Sequence, residues 1–170
     1  MTGRRDYALC VLLVDTGLRV SEATGLNLGD VDWVESTVLV MGKGRKQRRV
    51  PFGGVAKRAL VKWIEVRGEI PGQEALFITR TEDRLRRERA FCLIQHYGKK
   101  ARIQGVRVSP HSLRYTFATM WLRSGGDLFT LQRILGHTSL EMVRRYAQQV
   151  VTDLQEKHRI HSPMDRLARR

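Results

Sequence analysis

Residues 109–119 read Ser109-Pro110-His111-Ser112-Leu113-Arg114-Tyr115-Thr116-Phe117-Ala118-Thr119, a stretch that opens with a helix-start signal. Ser109 offers a side-chain oxygen suited to an N-cap, and Pro110 fills the first helical position, where a missing N–H costs nothing. The spacing predicts a helix from Pro110 to about Arg123, punctuated by Gly125-Gly126. His111 and Arg114 lie three residues apart, so imidazole and guanidinium share one helical face. The positive end of the helix dipole points to the same place, which favours a phosphate there. Taken alone, the pair also reads as a surface His and Arg with no ligand.

Downstream, Asp127 caps a helix ending at Gly136. His137 follows at a helix-to-helix junction. Thr138-Ser139-Leu140-Glu141 has capping-box spacing and opens a helix that carries Tyr146. Each of these two residues has a plain alternative, a structural histidine and a core aromatic. The tail from Val151 to Arg170 reads as partly helical, interrupted at Pro163.

Upstream, a first helix covers Arg4 to Asp15 and stops at Thr16-Gly17, and a shorter helical segment follows from Arg19 to Gly25. Between Asp30 and Pro51 the period changes. Val31, Trp33, Thr37-Val38-Leu39-Val40-Met41 and Arg49-Val50-Pro51, separated by Gly42 and Gly44, read as a small antiparallel sheet. Helices then resume: Val55 to Arg67 with Val55, Ala59, Leu60, Trp63 and Ile64 on one face, and Glu88 to Ile103. The fold class is mainly α with a small antiparallel β-sheet (α+β), in one domain over residues 1–170.

Charge narrows the function. Thirty-one Lys and Arg against seventeen Asp and Glu give a net charge of +14. Such an excess repels itself in a compact state unless a polyanion neutralises it, and nucleic acid does so with release of counterions. A ribosomal protein or one bound to an anionic membrane would show the same number. Cys10 and Cys92 match no paired metal-ligand spacing and are too few for a disulfide framework, which suits a reducing, intracellular setting. The apolar run Ala8–Val14 behind Arg4 and Arg5 imitates a signal peptide, but it breaks at Asp15 and lacks a small-residue cleavage pattern. No stretch approaches the length of a transmembrane helix.

Two further segments carry chemistry. In Thr16-Gly17-Leu18-Arg19-Val20-Ser21-Glu22, Arg19 follows a turn between apolar segments, and Glu22 is placed to hold its guanidinium in a fixed pose. An exposed ion pair is the plainer reading. In Gly42-Lys43-Gly44-Arg45-Lys46-Gln47-Arg48-Arg49, five basic residues and no acid lie between two predicted strands. Lys43, flanked by glycines, can reach into a groove. Arg45, Lys46, Arg48 and Arg49 are expected to contact a DNA backbone without catalysis, the alternative being a solvated basic hairpin.

The order and spacing of these motifs resemble the tyrosine recombinase (phage integrase) family. The likeness runs from the first helix through Tyr146. The first arginine motif is similar to Thr16-Gly17-Leu18-Arg19 with Ser21-Glu22, and the hairpin lysine matches Lys43. The His-x-x-Arg motif is His111 to Arg114, the Leu-Gly-His motif ends at His137, and the nucleophile falls at Tyr146. The resemblance implies a catalytic domain whose relatives usually carry an N-terminal helical DNA-clamping domain, absent from this chain. It implies a cytoplasmic protein, bacterial or phage-encoded, acting on double-stranded DNA as a homo-oligomer, a tetramer on paired sites. As an isolated domain it would be a monomer. Residues 150–170 are expected to form an oligomer contact, Val150, Val151, Leu154 and Ile160 making an apolar strip, or else an ordinary packed helix.

The implied chemistry is attack by the Tyr146 hydroxyl on a scissile phosphate, giving a 3'-phosphotyrosyl link and a free 5'-hydroxyl. Arg19 and Arg114 would hold the nonbridging oxygens, His111 would act as base, His137 would hydrogen-bond a phosphate oxygen, and Lys43 would protonate the leaving oxygen. No metal or cofactor is expected, because two arginines supply the charge that paired metals supply elsewhere. The rival readings are a type IB topoisomerase, a non-catalytic DNA-binding module and a basic structural protein of an RNA complex. Integration, excision and dimer resolution are equally compatible with these residues.

Overall fold

The structure, a computed structural model, describes residues 2–42, 47–136, 146, 158, 162, 164 and 167. Helix α1 (Thr2–Thr16) is the axis of the core, because Leu9, Leu12 and Leu13 recur at helical spacing and are fully buried. Each such side chain contributes about 1.5–3 kcal/mol of burial. The helix packs on α3 (Gly54–Arg67) and α5 (Pro110–Arg123). It ends at Gly17, where φ is +63°, and a short helix α2 (Val20–Gly25) and a 3-10 turn (Leu28–Asp30) follow.

Strands β1 (Val31–Asp32), β2 (Thr37–Met41) and β3 (Gln47–Pro51) form an antiparallel sheet in that order. Val31 faces Val38, Val38 faces Val50, and Val40 faces Arg48. Val38, Val40 and Val50 are buried, so the pleat turns these three positions inward.

Between α3 and α4 (Arg87–Lys100), residues 68–86 contain no long element yet bury Leu76, Phe77, Ile78 and Leu85 completely. Arginine forks tie this segment down. Arg67, itself buried, donates to the carbonyls of Gly68, Gln73 and Ala75, and Arg84 donates to the carbonyls of Thr24 and Leu26. The last described helix, α6 (Leu128–Leu135), starts at Asp127, whose Oδ1 accepts from the Thr130 N–H at 2.8 Å. It closes at Gly136, left-handed at φ +64°.

The helix boundaries follow the sequence closely, with two differences. Val55 is 54% exposed, and α3 instead turns Ala56, Ala59, Leu60, Trp63 and Arg67 inward. That stripe has helical spacing but ends in an arginine, which apolar counting passes over. Helix α4 stops at Lys100 instead of Ile103, because Arg102 adopts φ +52° and leaves the helical region. The helix expected from Thr138, and the tail with Val150, Val151, Leu154 and Ile160, fall outside the described residues except at isolated positions. Among the described residues no helix is long and apolar enough to cross a membrane.

Candidate active site

Gly17 makes the first corner of the site, and no other residue fits there. Its backbone is left-handed, and a Cβ would lie 2.4 Å from Cδ1 of Phe117 and 2.8 Å from Cδ2 of Leu135. Close contact of the α1–α2 turn with α5 and α6 therefore depends on the missing side chain. It also brings the Gly17 carbonyl to Arg114, whose Nη1 donates to it at 2.6 Å.

Arg114 is 6% exposed and bridges three elements. Besides Gly17, its Nη2 donates to the Leu135 carbonyl at 2.8 Å. The neighbouring carbonyl, Ile134, accepts from Nε of Arg48 at 2.8 Å. The last carbonyls of α6 have no partner within their helix, and two guanidinium groups satisfy them at the negative end of the helix dipole. Gly136 permits this arrangement, since a Cβ would lie 2.9 Å from Cζ of Arg48.

Arg19 follows the Gly17 corner in extended backbone, and its side chain is 43% exposed. Its Nη1 donates to Glu22 Oε1 at 3.0 Å, and its backbone N–H donates to Oε2 at 2.8 Å. The same carboxylate, only 6% exposed, accepts both ends of the Arg48 fork at 3.0 Å each. Burial pushes the Glu22 carboxyl up. Hydrogen bonds from Arg48 and the Arg19 backbone, with the charges of both arginines, outweigh it and hold the group below the usual glutamate range.

Arg114 is brought down to about 10, first by burial and then by the charge of Arg19. Glu22 and Tyr146 push the other way, and Arg48 adds a smaller depression. It stays protonated at neutral pH, and Arg19, Glu22, Tyr146 and Arg48 all lie near enough to act on it. Tyr146, 7% exposed, packs its ring 5.6 Å from that of Tyr115 on α5, tilted by 53°. His111 is exposed in the first turn of α5, inside a reciprocal cap between Ser109 and Ser112.

Of the sequence-derived site residues, the structure gathers Arg19, Glu22, Arg114 and Tyr146 and sets His111 one helical turn before Arg114. Lys43, Arg45, Lys46 and His137 lie outside the described residues. Arg49 is exposed, with a 3.3 Å ion pair to Asp32. Arg48, expected to contact a DNA backbone, is turned into the protein: its side chain is 15% exposed and all three guanidinium nitrogens bond protein oxygens. Its place two residues before the buried Val50 was the available signal. Tyr115 and the α6 carbonyls were also missed, and nothing in the residue pattern marks them. Among the described residues no three His, Cys, Asp or Glu side chains gather closely enough to hold a metal ion.

The family model described as the phage integrase family matches residues 2–152. Tyrosine recombinase XerC of Actinobacillus pleuropneumoniae serotype 7 (strain AP76) is 38% identical over 143 residues, covering 84% of this chain and 46% of the relative. Tyrosine recombinase XerD of Bifidobacterium longum (strain NCC 2705) is 40% identical over 151 residues, covering 84% and 49%. The chain thus spans about half the length of the curated relatives it matches. A crystal structure of XerA recombinase superposes with a TM-score of 0.82 at 35% identity, covering 95% of this chain and 58% of that one. XerH site-specific recombinase, in a pre-cleavage complex with its difH substrate, gives a TM-score of 0.77 at 27% identity, covering 95% and 47%. The mainly helical architecture with its small three-stranded sheet is the one these recombinases share. On the match over residues 2–152 and the identities to full-length relatives, this chain belongs to the phage integrase family of tyrosine recombinases.

Proposed function

We propose that the chain is the catalytic unit of a site-specific DNA recombinase, cleaving and rejoining strands through a covalent link to Tyr146. One observation carries the proposal: Arg114 is tied to the Gly17 corner that leads into Arg19 and lies near enough to both Arg19 and Tyr146 to feel their charges, so that three separate stretches of chain meet around it. Two guanidinium groups beside a phenol suit phosphoryl transfer, where negative charge gathers on the nonbridging oxygens. Arg114 is held by protein carbonyls, and the more exposed Arg19 offers its outer edge to an incoming phosphate.

In this reading the Tyr146 oxygen attacks phosphorus, its proton passes to His111, and the bond to the 5'-oxygen breaks. Lys43 protonates that oxygen, and His137 donates a hydrogen bond to a phosphate oxygen. The phosphodiester energy is kept in the phosphotyrosyl link, so reversal by a 5'-hydroxyl reseals the strand without ATP. Because Tyr146 is buried against Tyr115, its ring has to leave that packing before attack. Arg45, Lys46 and Arg49 add phosphate contacts, to which the net charge of +14 contributes. The active species on paired sites is a homo-oligomer, a tetramer, working on DNA in a bacterial cytoplasm.

The test is capture from a pool of nicked duplexes of randomised sequence, with covalent adducts read on a denaturing gel. The chain should trap a duplex in the presence of EDTA, and Tyr146→Phe should trap none while still binding the captured DNA. Adducts that survive Tyr146→Phe would sink the nucleophile, and loss of adducts in EDTA would point to a metal nuclease. Relaxation of a plasmid lacking the captured site would indicate a topoisomerase.

A further inference from the structure

We infer that Arg48 is a positioning residue for strand cleavage: it occupies the Glu22 carboxylate, so that the guanidinium of Arg19 keeps its charge for the phosphate. The inference rests on the proposed role of Arg19 at the scissile phosphate, and it assigns the hairpin arginine a task other than touching DNA.

The two arginines around the buried Glu22 carboxylate are unequal. Glu22 has a single negative charge and two arginines. Arg48 reaches it with both Nη atoms, one on each oxygen, at 3.0 Å. Arg19 reaches it with one Nη, at 3.0 Å on Oε1. The two-pronged pair is the stronger and more directional of the two. Exposure runs the same way, with the Arg48 side chain at 15% and that of Arg19 at 43%. Glu22 is therefore neutralised chiefly by Arg48, and it steers Arg19 without cancelling it.

The third nitrogen extends the role. Nε of Arg48 holds the Ile134 carbonyl, and Gly136 packs against its Cζ with no room for a side chain. A single planar group thus sets the distance between the carboxylate that orients Arg19 and the end of α6, next to the carbonyl held by Arg114. The strand pairing fixes where that group sits, since Arg48 faces the buried Val40 across the ladder. Lysine would carry the charge but could not point three donors in three fixed directions.

Removing the fork has a consequence that loss of a mere brace would not. With Arg48 gone, both oxygens of Glu22 turn to Arg19, and its charge is spent inside the protein. Taking away the Glu22 charge as well should then release Arg19.

The test uses the 170-residue chain and the nicked duplex it captures, with single-turnover adduct formation, duplex affinity and thermal unfolding measured for each variant. Arg48→Gln is expected to slow adduct formation on the order of ten- to hundredfold, with a much smaller change in affinity. Arg48→Lys, milder for folding, is expected to fall in the same direction. Adding Glu22→Gln to either should recover part of the rate, although Glu22→Gln alone should lower it. Wild-type rates in Arg48→Lys, or a double variant slower than both singles, would overturn the inference. If the unsubstituted chain traps no duplex, the recombinase reading fails, and a DNA-independent measurement then decides this one. Rotation of the Arg19 guanidinium, followed by nitrogen-15 relaxation, should slow in Arg48→Lys and be released by Glu22→Gln. Unchanged rotation would overturn the inference.

Discussion

Two buried carboxylates, Asp6 in α1 and Glu22 in α2, are each held by arginine, and they differ in what they leave open. Asp6 accepts from Nε of Arg5 at 2.8 Å and from the Tyr97 hydroxyl at 3.1 Å, while the remaining arm of Arg5 holds the Ile78 carbonyl. Both charged side chains are 8% exposed, so the ion pair closes on itself, and the one exposed partner, Tyr97, carries no charge. Glu22 is buried as deeply, at 6%, yet one of its two arginines stays 43% exposed. A closed cluster fixes geometry within the protein. A cluster with one charge at the surface can present that charge to something else. Burial of the carboxylate alone does not separate a brace from a site, whereas the exposure of its least covered charged partner does.

Truncating each cluster should separate the two by stability and by activity. Arg19→Ala leaves Glu22 paired with Arg48, so denaturant unfolding should shift by no more than about 1 kcal/mol. Adduct formation should nevertheless fall on the order of a hundred- to thousandfold, as when one electrostatic stabiliser of a transition state is lost. Asp6→Ala should do the reverse. It strands a buried guanidinium and should cost about 3–5 kcal/mol of stability, with activity in the remaining folded fraction little changed. Equal stability losses in the two variants would erase the distinction.

Acid titration of the open cluster gives a smaller effect. The Glu22 carboxyl is lowered in the folded chain, so folding favours its charged form. Its contribution is fully present above the ordinary glutamate value near 4.5 and is lost as pH falls from there through the depressed folded value. Denaturant midpoints measured between neutral pH and pH 3 should therefore decline more steeply for the unsubstituted chain than for Glu22→Gln in that window. Parallel curves would mean that the arginines do not hold the ionised carboxylate.

Much of this was legible in the residues, for identifiable reasons. Ser109-Pro110 announces a helix start because a cap and a proline have few other places to go, and the observed helix begins at Pro110. Asp127 and Gly136 mark α6 in the same way. What could not be read was any contact made through a backbone carbonyl. The Gly17, Ile134 and Leu135 oxygens that receive Arg114 and Arg48 carry no side-chain signature, and they become acceptors only once α6 is packed against the α1–α2 turn. Arg67 was opaque for a related reason, since its fork serves three carbonyls of its own following loop. Arg48 lies between these cases. It was grouped with its basic neighbours on composition, but the alternation of the strand already placed it on the side of Val50.

That alternation supplies the smallest and most local contrast, between adjacent residues of β3. Arg48 turns inward with Val50, and Arg49 turns outward, 61% exposed beside Asp32. Arg49→Gln should change stability by about 0.5 kcal/mol or less, because an exposed ion pair is screened and side-chain entropy opposes it. If Arg49 touches a phosphate, the slope of duplex affinity against salt, on logarithmic axes, should fall by about 1, with adduct formation at saturating DNA unchanged. Arg48→Gln should leave that slope alone and slow the chemistry instead. One residue of register therefore separates a DNA contact from a device that orients the site, and the two slopes measured side by side decide whether the pleat makes that division. If Arg48→Gln lowered the slope as much as Arg49→Gln, the inward residue would be reaching DNA after all, and the strand would have to rearrange on binding.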